Sequence, residues 1–209
     1  MKKVALLFTI ILTCFTSTLF ARKIEGQIIS SADTQNVVFN IPFRFLSKVP
    51  NFERLQIRVR YYDASGKLVT LKPDDAEEIR FMLGREQIRM LSRPNTIGAN
   101  IFSNQKNIFL RLKIDGPLKM FHYYYTQTSP GMYSGATGGM SAGSSYSVEN
   151  SILQKNNGEL KRPRGLFFRK DMCEYFSDCP QLIERIEAKD FRRSDMEAIV
   201  RFYNLNCAR

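Results

Sequence analysis

Beyond residue 21 the chain lacks any apolar run that approaches the roughly 20 residues a membrane-spanning helix requires. It also lacks the repeats and the biased compositions of collagen, coiled coils and low-complexity chains. Its 209 residues are 44% hydrophobic and 12% aromatic. A chain of this size buries roughly 70% of its unfolded surface, so we expect a folded, water-soluble body with no transmembrane segment in the mature chain.

Metal-ligating and catalytic residue types are scarce. His122 is the only histidine, and Cys173 and Cys179 have neither the short spacing nor the nearby histidine of a zinc site. His122 lies in a tyrosine-rich segment, where a packed ring is the ordinary outcome. We therefore predict no metal, no cofactor and no catalytic residue. A hydrolase that uses His122 with Asp74, Asp75 or Cys173 is the alternative.

The first 21 residues have the pattern of a secretory signal peptide. Two lysines precede an apolar stretch over residues 4–20, and Ala21 is a small residue suited to cleavage. The pattern predicts export to the periplasm, to the outer-membrane surface or to the medium. A lipid anchor on Cys14 is the alternative, which the apolar residues that continue beyond this cysteine disfavour.

Acidic residues are the minority charge. The chain has 31 Lys and Arg residues against 20 Asp and Glu residues, a formal net charge of +11. Such an excess bears on association and not on fold. For an exported protein it predicts an anionic envelope glycan, lipopolysaccharide or an envelope protein as partner, and nucleic acid is not expected.

Residues 22–161 show the period-two alternation of β-strands. The clearest runs are 37–45, 55–61, 109–114, 118–127 and 146–154. Hairpin turns are predicted at Asp63–Gly66 and at Asn157–Gly158, and the acidic segment 72–78 predicts a capped turn. We therefore predict an antiparallel β domain over residues 22–161, curled into a partial barrel or sandwich.

Residues 129–147 interrupt this pattern with five glycines and six serines. Such a composition buries too little apolar surface to offset its ordering entropy, so a mobile Gly/Ser-rich loop is predicted. Met132, Tyr133 and Met140 are candidate contacts for a partner, and a passive tether is the alternative.

The periodicity becomes helical after residue 161. Phe168, Met172 and Phe176 recur at helical spacing. Pro180 predicts the start of a second helix, and a capping box that begins at Ser194 predicts a third. Residues 162–209 are therefore predicted to form a three-helix segment packed on the β domain, which makes the fold α+β.

Three cysteines remain after the leader, an odd number for an oxidising compartment. An antiparallel arrangement of the second and third helices brings Cys179 and Cys207 together, whereas Cys173 lies one helix earlier. We therefore predict a Cys179–Cys207 disulfide and leave Cys173 as the unpaired thiol.

Cations alternate with apolar residues along two predicted strands, and an aromatic residue accompanies them. The residues are Arg54, Arg58 and Arg60 in the first strand and Phe109, Arg111 and Lys113 in the second. Cations beside an aromatic ring suit anionic sugars and phosphates. We predict that this basic sheet face binds an anionic ligand, and an ordinary solvated sheet face is the alternative.

Four segments carry a resemblance to a known group of proteins. They are Tyr61–Lys67, Leu71–Ile79, Ile114–Leu118 and Tyr175–Pro180. Together they resemble exported proteins of Bacteroidota that have no assigned activity. The resemblance implies a Gram-negative envelope or secreted location and supplies no catalytic residue. Cys173 is extra to the pattern, which favours its being free. The leading prediction is a non-catalytic envelope protein, and a cell-envelope hydrolase is the alternative.

Overall fold

The computed structural model describes residues 21–44, 47–96, 105–129, 133–134, 139–140 and 143–208. Residues 1–20 of the predicted leader, and the side chains of Met132, Tyr133 and Met140, lie outside the described residues. The chain is an α+β protein, as predicted, with an antiparallel sheet followed by helices.

Ten strands form one open sheet. They are β1 (Ala21–Ile29), β2 (Thr34–Pro42), β3 (Val59–Tyr62), β4 (Leu68–Leu71), β5 (Glu78–Leu83), β6 (Glu86–Pro94), β7 (Asn107–Ile114), β8 (Leu118–Ser129), β11 (Ser144–Lys155) and β12 (Leu160–Lys161). The spatial order is β12-β11-β8-β7-β6-β5-β1-β2-β3-β4, and neighbours run antiparallel. Two short strands, β9 (Tyr133–Ser134) and β10 (Gly139–Met140), pair only with each other. Because β12 and β4 are free edges, the sheet does not close into a barrel.

The predicted turns are present, with one shift. Gly66 has φ of 78° and donates its N–H to the Asp63 carbonyl, which closes the β3–β4 hairpin. The β11–β12 turn lies one residue earlier than predicted, because Asn156 and Asn157 adopt φ of 49° and 60°. Two successive positive φ values are the requirement of a type I′ turn.

The predicted loop over residues 129–147 is shorter in the structure. Ser129 ends β8 and pairs with Ser144, the first residue of β11, so the ladder continues into both ends of the Gly/Ser-rich segment. Backbone hydrogen bonds of an antiparallel ladder do not depend on apolar side chains, and composition therefore overstated the length of the loop.

The largest disagreement with the sequence prediction concerns helix α1 (Phe52–Ile57), where a strand was expected. Asn51 caps this helix, since its side-chain oxygen accepts a hydrogen bond from the Arg54 N–H at 3.2 Å. Phe52 and Leu55 are both buried at i, i+3 spacing. The strand-like alternation in this segment is therefore coincidental, and β3 begins only after the helix.

Helix α1 fills the gap where β7 and β8 separate. β7 pairs with β8 only through residues 111–114. Beyond that point the Gln56 side chain replaces the missing strand: its Nε2 donates to the Tyr124 carbonyl at 2.9 Å, and its Oε1 accepts from the Tyr124 N–H at 2.6 Å. Glu53 accepts hydrogen bonds from the Thr126 N–H and hydroxyl in the same way.

The C-terminal segment contains the three predicted helices and an additional 3₁₀ turn. They are α2 (Phe168–Tyr175), α3 (Pro180–Glu187), the 3₁₀ turn Arg193–Asp195 and α4 (Met196–Asn206). Asn204 joins α4 to the sheet, because its side-chain amide bonds both the N–H and the carbonyl of Leu118, at 2.8 and 2.9 Å. The amide side chains of Gln56 and Asn204 thus bond backbone groups of β8 beyond the two ends of its pairing with β7.

Three apolar clusters form the interior. The first lies on the face of β1–β6 that carries Phe39, Ile79 and Phe81, which we call the core face. The second lies between the sheet and helices α2–α4, and the third lies on the opposite, outer face around Leu110 and Phe121. The central strands β7 and β8 are consequently buried on both faces.

The helical segment is fastened by a disulfide and by an ion pair with β11. Cys179 and Cys207 are joined, with their Cα atoms 5.6 Å apart, and Cys173 is a free cysteine, which confirms the predicted pairing. Lys155 of β11 donates to Asp178 at 2.7 Å and lies 5.0 Å from the centre of the Tyr203 ring. In the described part of the chain no helix has both the length and the apolar character needed to cross a bilayer.

Candidate binding groove and enclosed cation cluster

The three arginines predicted to share a strand face occupy different elements. Arg54 lies on α1, Arg58 follows the end of α1, and Arg60 lies on β3; all three are exposed. The predicted strand face is therefore wrong for Arg54, because the chain is helical through Ile57, whereas Arg58 follows the helix in extended backbone immediately before β3. Arg60 alone retains the predicted position on the outer surface of the sheet.

The second predicted set turns out to lie on the core face of β7. Phe109 is 0% exposed and belongs to the first apolar cluster. The prediction that its ring lies among exposed cations is wrong, because β7 is a central strand that is buried on both faces. Arg111 and Lys113 lie on the same face of β7 as Phe109 and are partly buried.

Arg111 is held by groups from three other elements, and together with Lys113 of its own strand these residues form the enclosed cation cluster. Its members are Phe52, Glu86, Arg111, Lys113 and Tyr124. The Arg111 guanidinium donates to Glu86 at 2.6 Å and to the Tyr124 hydroxyl at 3.0 Å. It lies 4.5 Å from the centre of the Phe52 ring, which stacks on Tyr124 at 4.9 Å. Lys113 Nζ lies 3.4 Å from the same Glu86 oxygen.

Charges within the enclosed cation cluster compensate one another. Burial alone would raise the pKa of Glu86, but the contact with Arg111 outweighs it and lowers this pKa below its ordinary value. Burial likewise opposes the charge of Arg111, and contacts with Tyr124 and Glu86 leave its pKa raised. Burial raises the pKa of Tyr124, so the phenol stays protonated. An external anion would have to displace Glu86 before it could bind Arg111.

His122 lies beside this cluster and has its own carboxylate partner. It is directly opposite Arg111 in the β7–β8 ladder, and its Nδ1 lies 2.7 Å from Glu149 Oε1. The His122 contact lowers the pKa of Glu149 despite partial burial. Ser151 stands opposite His122 on β11. These side chains have the carboxylate–imidazole–hydroxyl order of a nucleophilic site, but no hydrogen bond joins Ser151 to His122 in the described structure.

The partners that the hydrolase alternative considered for His122 are engaged elsewhere. Asp74 accepts a hydrogen bond from Asn107, and Asp75 accepts one from the backbone N–H of Lys72. Cys173 packs against the second apolar cluster. None of these three residues contacts His122.

An open groove of about 620 Å³ crosses the outer face of β3, β2, β1, β5 and β6. The register shows why its lining residues meet: residues directly opposite in neighbouring strands share a face. Glu25 pairs with Val38, and Val38 pairs with Tyr62. The remaining outer-face residues of this groove are Gln27, Asn36, Arg80, Met82 and Gln87.

Amide groups give the groove its polar character. Gln27 Nε2 donates to Asn36 Oδ1 at 3.1 Å, an arrangement that fixes both amides. Within the described chain neither amide makes another side-chain hydrogen bond, so Gln27 Oε1 and Asn36 Nδ2 are available as one acceptor and one donor. Gln87 adds a further amide to the outer-face lining.

Tyr62 and Arg80 line the groove, and two further cations lie near Tyr62 on the same outer face. Lys23 Nζ lies 4.5 Å from the centre of the Tyr62 ring. Arg60 precedes Tyr62 by two residues on the same strand and therefore shares its face. Arg80 forms part of the wall and donates to Glu78 at 2.5 Å. Lys23 and Arg60 have no carboxylate partner among the described residues.

No group of histidine, cysteine and carboxylate side chains in the described part of the chain could hold a metal ion. Comparison with protein-family models, with curated proteins and with solved structures finds no match to this chain.

The sequence prediction missed the groove because its lining depends on strand register. Strand β1 supplies Glu25 and Gln27, yet only Ile24 and Ile28 of this strand are apolar at an even spacing, which is a weak signal. Gly26 lies between the two groove residues and faces the core, where a Cβ would collide with the Phe39 ring. That glycine is the one local indication of close packing in this strand.

Proposed function

We propose that this protein is a non-catalytic, exported binding protein that holds an extended anionic glycan in its outer-face groove. The observation that carries the proposal is the lining of the groove, which contains a fixed amide pair and the Tyr62 ring. Two unpaired cations, Lys23 on β1 and Arg60 on β3, lie outside the lining itself but on the same outer face as that ring. The proposal moves the anion-binding surface from the predicted basic sheet face to the outer face of the sheet. Arg60 is the one residue of the predicted set that it retains.

The chemistry of the lining matches a glycan better than a compact ligand. Amides both donate and accept, as sugar hydroxyl groups require, and aromatic rings contact the apolar faces of sugars. Successive strands repeat the lining at about 4.8 Å intervals, which suits an extended polymer. Lys23 and Arg60 favour a polymer that carries carboxylate or sulfate groups, and the net charge of +11 favours its approach.

Export is part of this proposal and has one structural support. Disulfides persist in oxidising compartments and are rare in the cytosol, and the Cys179–Cys207 bond is of this kind. The pattern of the first 21 residues points in the same direction.

A titration with polygalacturonate, a carboxylated glycan, tests the groove. We expect the Gln27→Ala, Asn36→Ala double variant and the Tyr62→Ala variant each to bind at least about tenfold more weakly, a loss of about 1.4 kcal/mol. Gln181→Ala is the matched control, because Gln181 is an exposed amide on α3. Equal affinity in all four proteins would contradict the groove, and binding of uncharged dextran with the same affinity would contradict the role of the cations.

The second candidate function is hydrolysis, and the His122–Glu149 pair beside Ser151 is the observation that favours it. A fluorophosphonate probe reacts with serines that an adjacent base activates. The binding proposal expects no labelling of the full chain. Labelling that Ser151→Ala and His122→Ala both remove would select the hydrolase instead.

A further inference from the structure

The segment that connects β12 to α2 concentrates positive charge. Residues 161–170, which we call the basic tip, contain five cations and no acid. The cations are Lys161, Arg162, Arg164, Arg169 and Lys170. Only Arg164 has a carboxylate partner in the described structure, namely Asp171. The other four cations are available to a ligand.

Two consecutive apolar side chains project from the centre of the basic tip. Leu166 is 95% exposed and Phe167 is 55% exposed. The other large exposed apolar side chains of the described surface, such as Leu205 and Met82, have no such neighbour in sequence. Single exposed apolar residues are normal on a protein surface, whereas an adjacent pair ringed by one sign of charge indicates an interaction site.

The fold fixes the position of this pair. Pro163 is buried on one side of it and Phe168 on the other. Arg164 donates two hydrogen bonds to Asp171, at 2.7 and 2.6 Å, and its guanidinium lies 5.3 Å from the centre of the Phe167 ring. The pair is therefore presented from anchored backbone, so binding costs little additional ordering.

We propose that the basic tip docks on an anionic lipid bilayer and inserts Leu166 and Phe167 among the lipid chains. Apolar side chains flanked by Lys and Arg are the pattern of interfacial membrane binding, in which the cations contact anionic headgroups while the apolar tip enters the acyl boundary. This surface is separate from the outer-face groove, and its role does not depend on the glycan proposal.

Charge and area favour a bilayer over the other occupants. A soluble glycan would attract the cations but gives Leu166 and Phe167 no apolar partner. A stable protein interface buries about 800 Å² on each side, far more than two side chains supply. A lipid surface satisfies both features with a contact of this size.

The chain contains no tryptophan, so a single introduced indole reports its own surroundings. The test uses the full-chain Phe167→Trp variant with vesicles of phosphatidylcholine and phosphatidylglycerol. We expect a blue shift of the emission and quenching by lipids with brominated chains. The matched control is Leu205→Trp, because Leu205 is 83% exposed and lies outside the basic tip. Both proteins carry the same N-terminal residues, so a difference between them locates the contact.

Further variants separate the two parts of the surface. Leu166→Ser, and Arg169→Glu with Lys170→Glu, should each weaken vesicle binding of the Phe167→Trp reporter about tenfold or more. All three residues are exposed, so these variants leave the fold intact. Pure phosphatidylcholine should give no shift.

Three results would overturn the proposal. The first is an unchanged Phe167→Trp spectrum with anionic vesicles, and the second is an equal shift in the Leu205→Trp control. The third is a response to heparin without a response to vesicles, which would assign the basic tip to a soluble polyanion.

Discussion

The cations around Glu78 and Glu86 in the sheet differ from the cations of the basic tip in whether they have carboxylate partners. In the sheet, the enclosed cation cluster places two cations on Glu86, and Glu78 accepts hydrogen bonds from both Arg80 and Arg89. In the basic tip, four of five cations have no carboxylate partner among the described residues. The comparison teaches that the location of unpaired charge, and not the total of +11, marks the surfaces that can bind a partner.

The two regions also differ in how they are held together. Strand pairing and side-chain amides join the sheet, whereas the helical segment beyond the basic tip is closed by a covalent bond. Substitutions in the sheet and substitutions in the helical segment should therefore lower the free energy of unfolding by different amounts.

The largest effect is expected from loss of the disulfide. In the chain-entropy model, a loop of the length between Cys179 and Cys207 contributes about 3.6 kcal/mol to the free energy of unfolding. Urea unfolding of the Cys179→Ala, Cys207→Ala double variant measures this loss. Cys173→Ala is the control and should cost less than about 1 kcal/mol, since Cys173 is unpaired and only partly buried.

Gln56→Leu should have the next largest effect, about 3 kcal/mol in urea unfolding, because it leaves the buried N–H and carbonyl of Tyr124 without their partner. The control Gln181→Leu changes an exposed amide and should stay within about 0.5 kcal/mol of the unmodified chain. If both substitutions cost the same, the amide does not replace a strand as described.

Arg111→Met sharpens the contrast between paired and unpaired cations. It removes the donor to the Tyr124 hydroxyl and leaves Glu86 with only the longer contact to Lys113, and we expect a loss of about 2 kcal/mol in the free energy of unfolding. Arg60→Met removes an exposed cation and should change stability by less than about 0.5 kcal/mol. A larger loss for Arg60→Met than for Arg111→Met would reverse the assignment of the two groups.

The smallest effect concerns acid pH. Burial would raise the pKa of Glu78, but Arg89 and Arg80 outweigh it and hold this pKa below the ordinary value of 4.5. Because the folded-state pKa is the lower one, the stabilisation is complete well above pH 4.5 and is lost as the pH falls through the folded-state pKa. Glu78→Gln should therefore show a shallower loss of the urea midpoint below pH 4.5 than the unmodified chain. Parallel curves for the two proteins would show that Glu78 does not contribute.

Local signals were sufficient for the features that local chemistry determines. The Asp63–Gly66 turn, the helix that starts at Pro180 and the pairing of Cys179 with Cys207 follow from turn residues, a helix-initiating proline and helix geometry, and the structure confirms them. The capping box predicted to begin at Ser194 is wrong, because Asp195 occupies the N-cap position of the last helix and its side chain makes no capping hydrogen bond. The helical character of the C-terminal segment was predictable for the same reason, although this segment contains a 3₁₀ turn that was not expected.

Contacts between residues far apart in sequence determine the features that the sequence prediction missed. The segment of helix α1 resembles a strand in sequence because the polar residue Gln56 lies between two apolar residues. The Gln56 amide is nevertheless buried, and it bonds the backbone of Tyr124, which is 68 residues away. The burial of Phe109 depends on the position of β7 in the strand order, and the groove depends on the register of β1 with its neighbours. Neither strand order nor register can be derived from periodicity alone.

A polygalacturonate titration of Arg60→Met and Arg111→Met, both in conditions where the proteins are folded, compares an unpaired and a paired cation directly. The unpaired outer-face cation should matter for binding, so Arg60→Met should bind about tenfold more weakly while Arg111→Met keeps the affinity of the unmodified chain. Weaker binding by Arg111→Met, with Arg60→Met unaffected, would contradict the account.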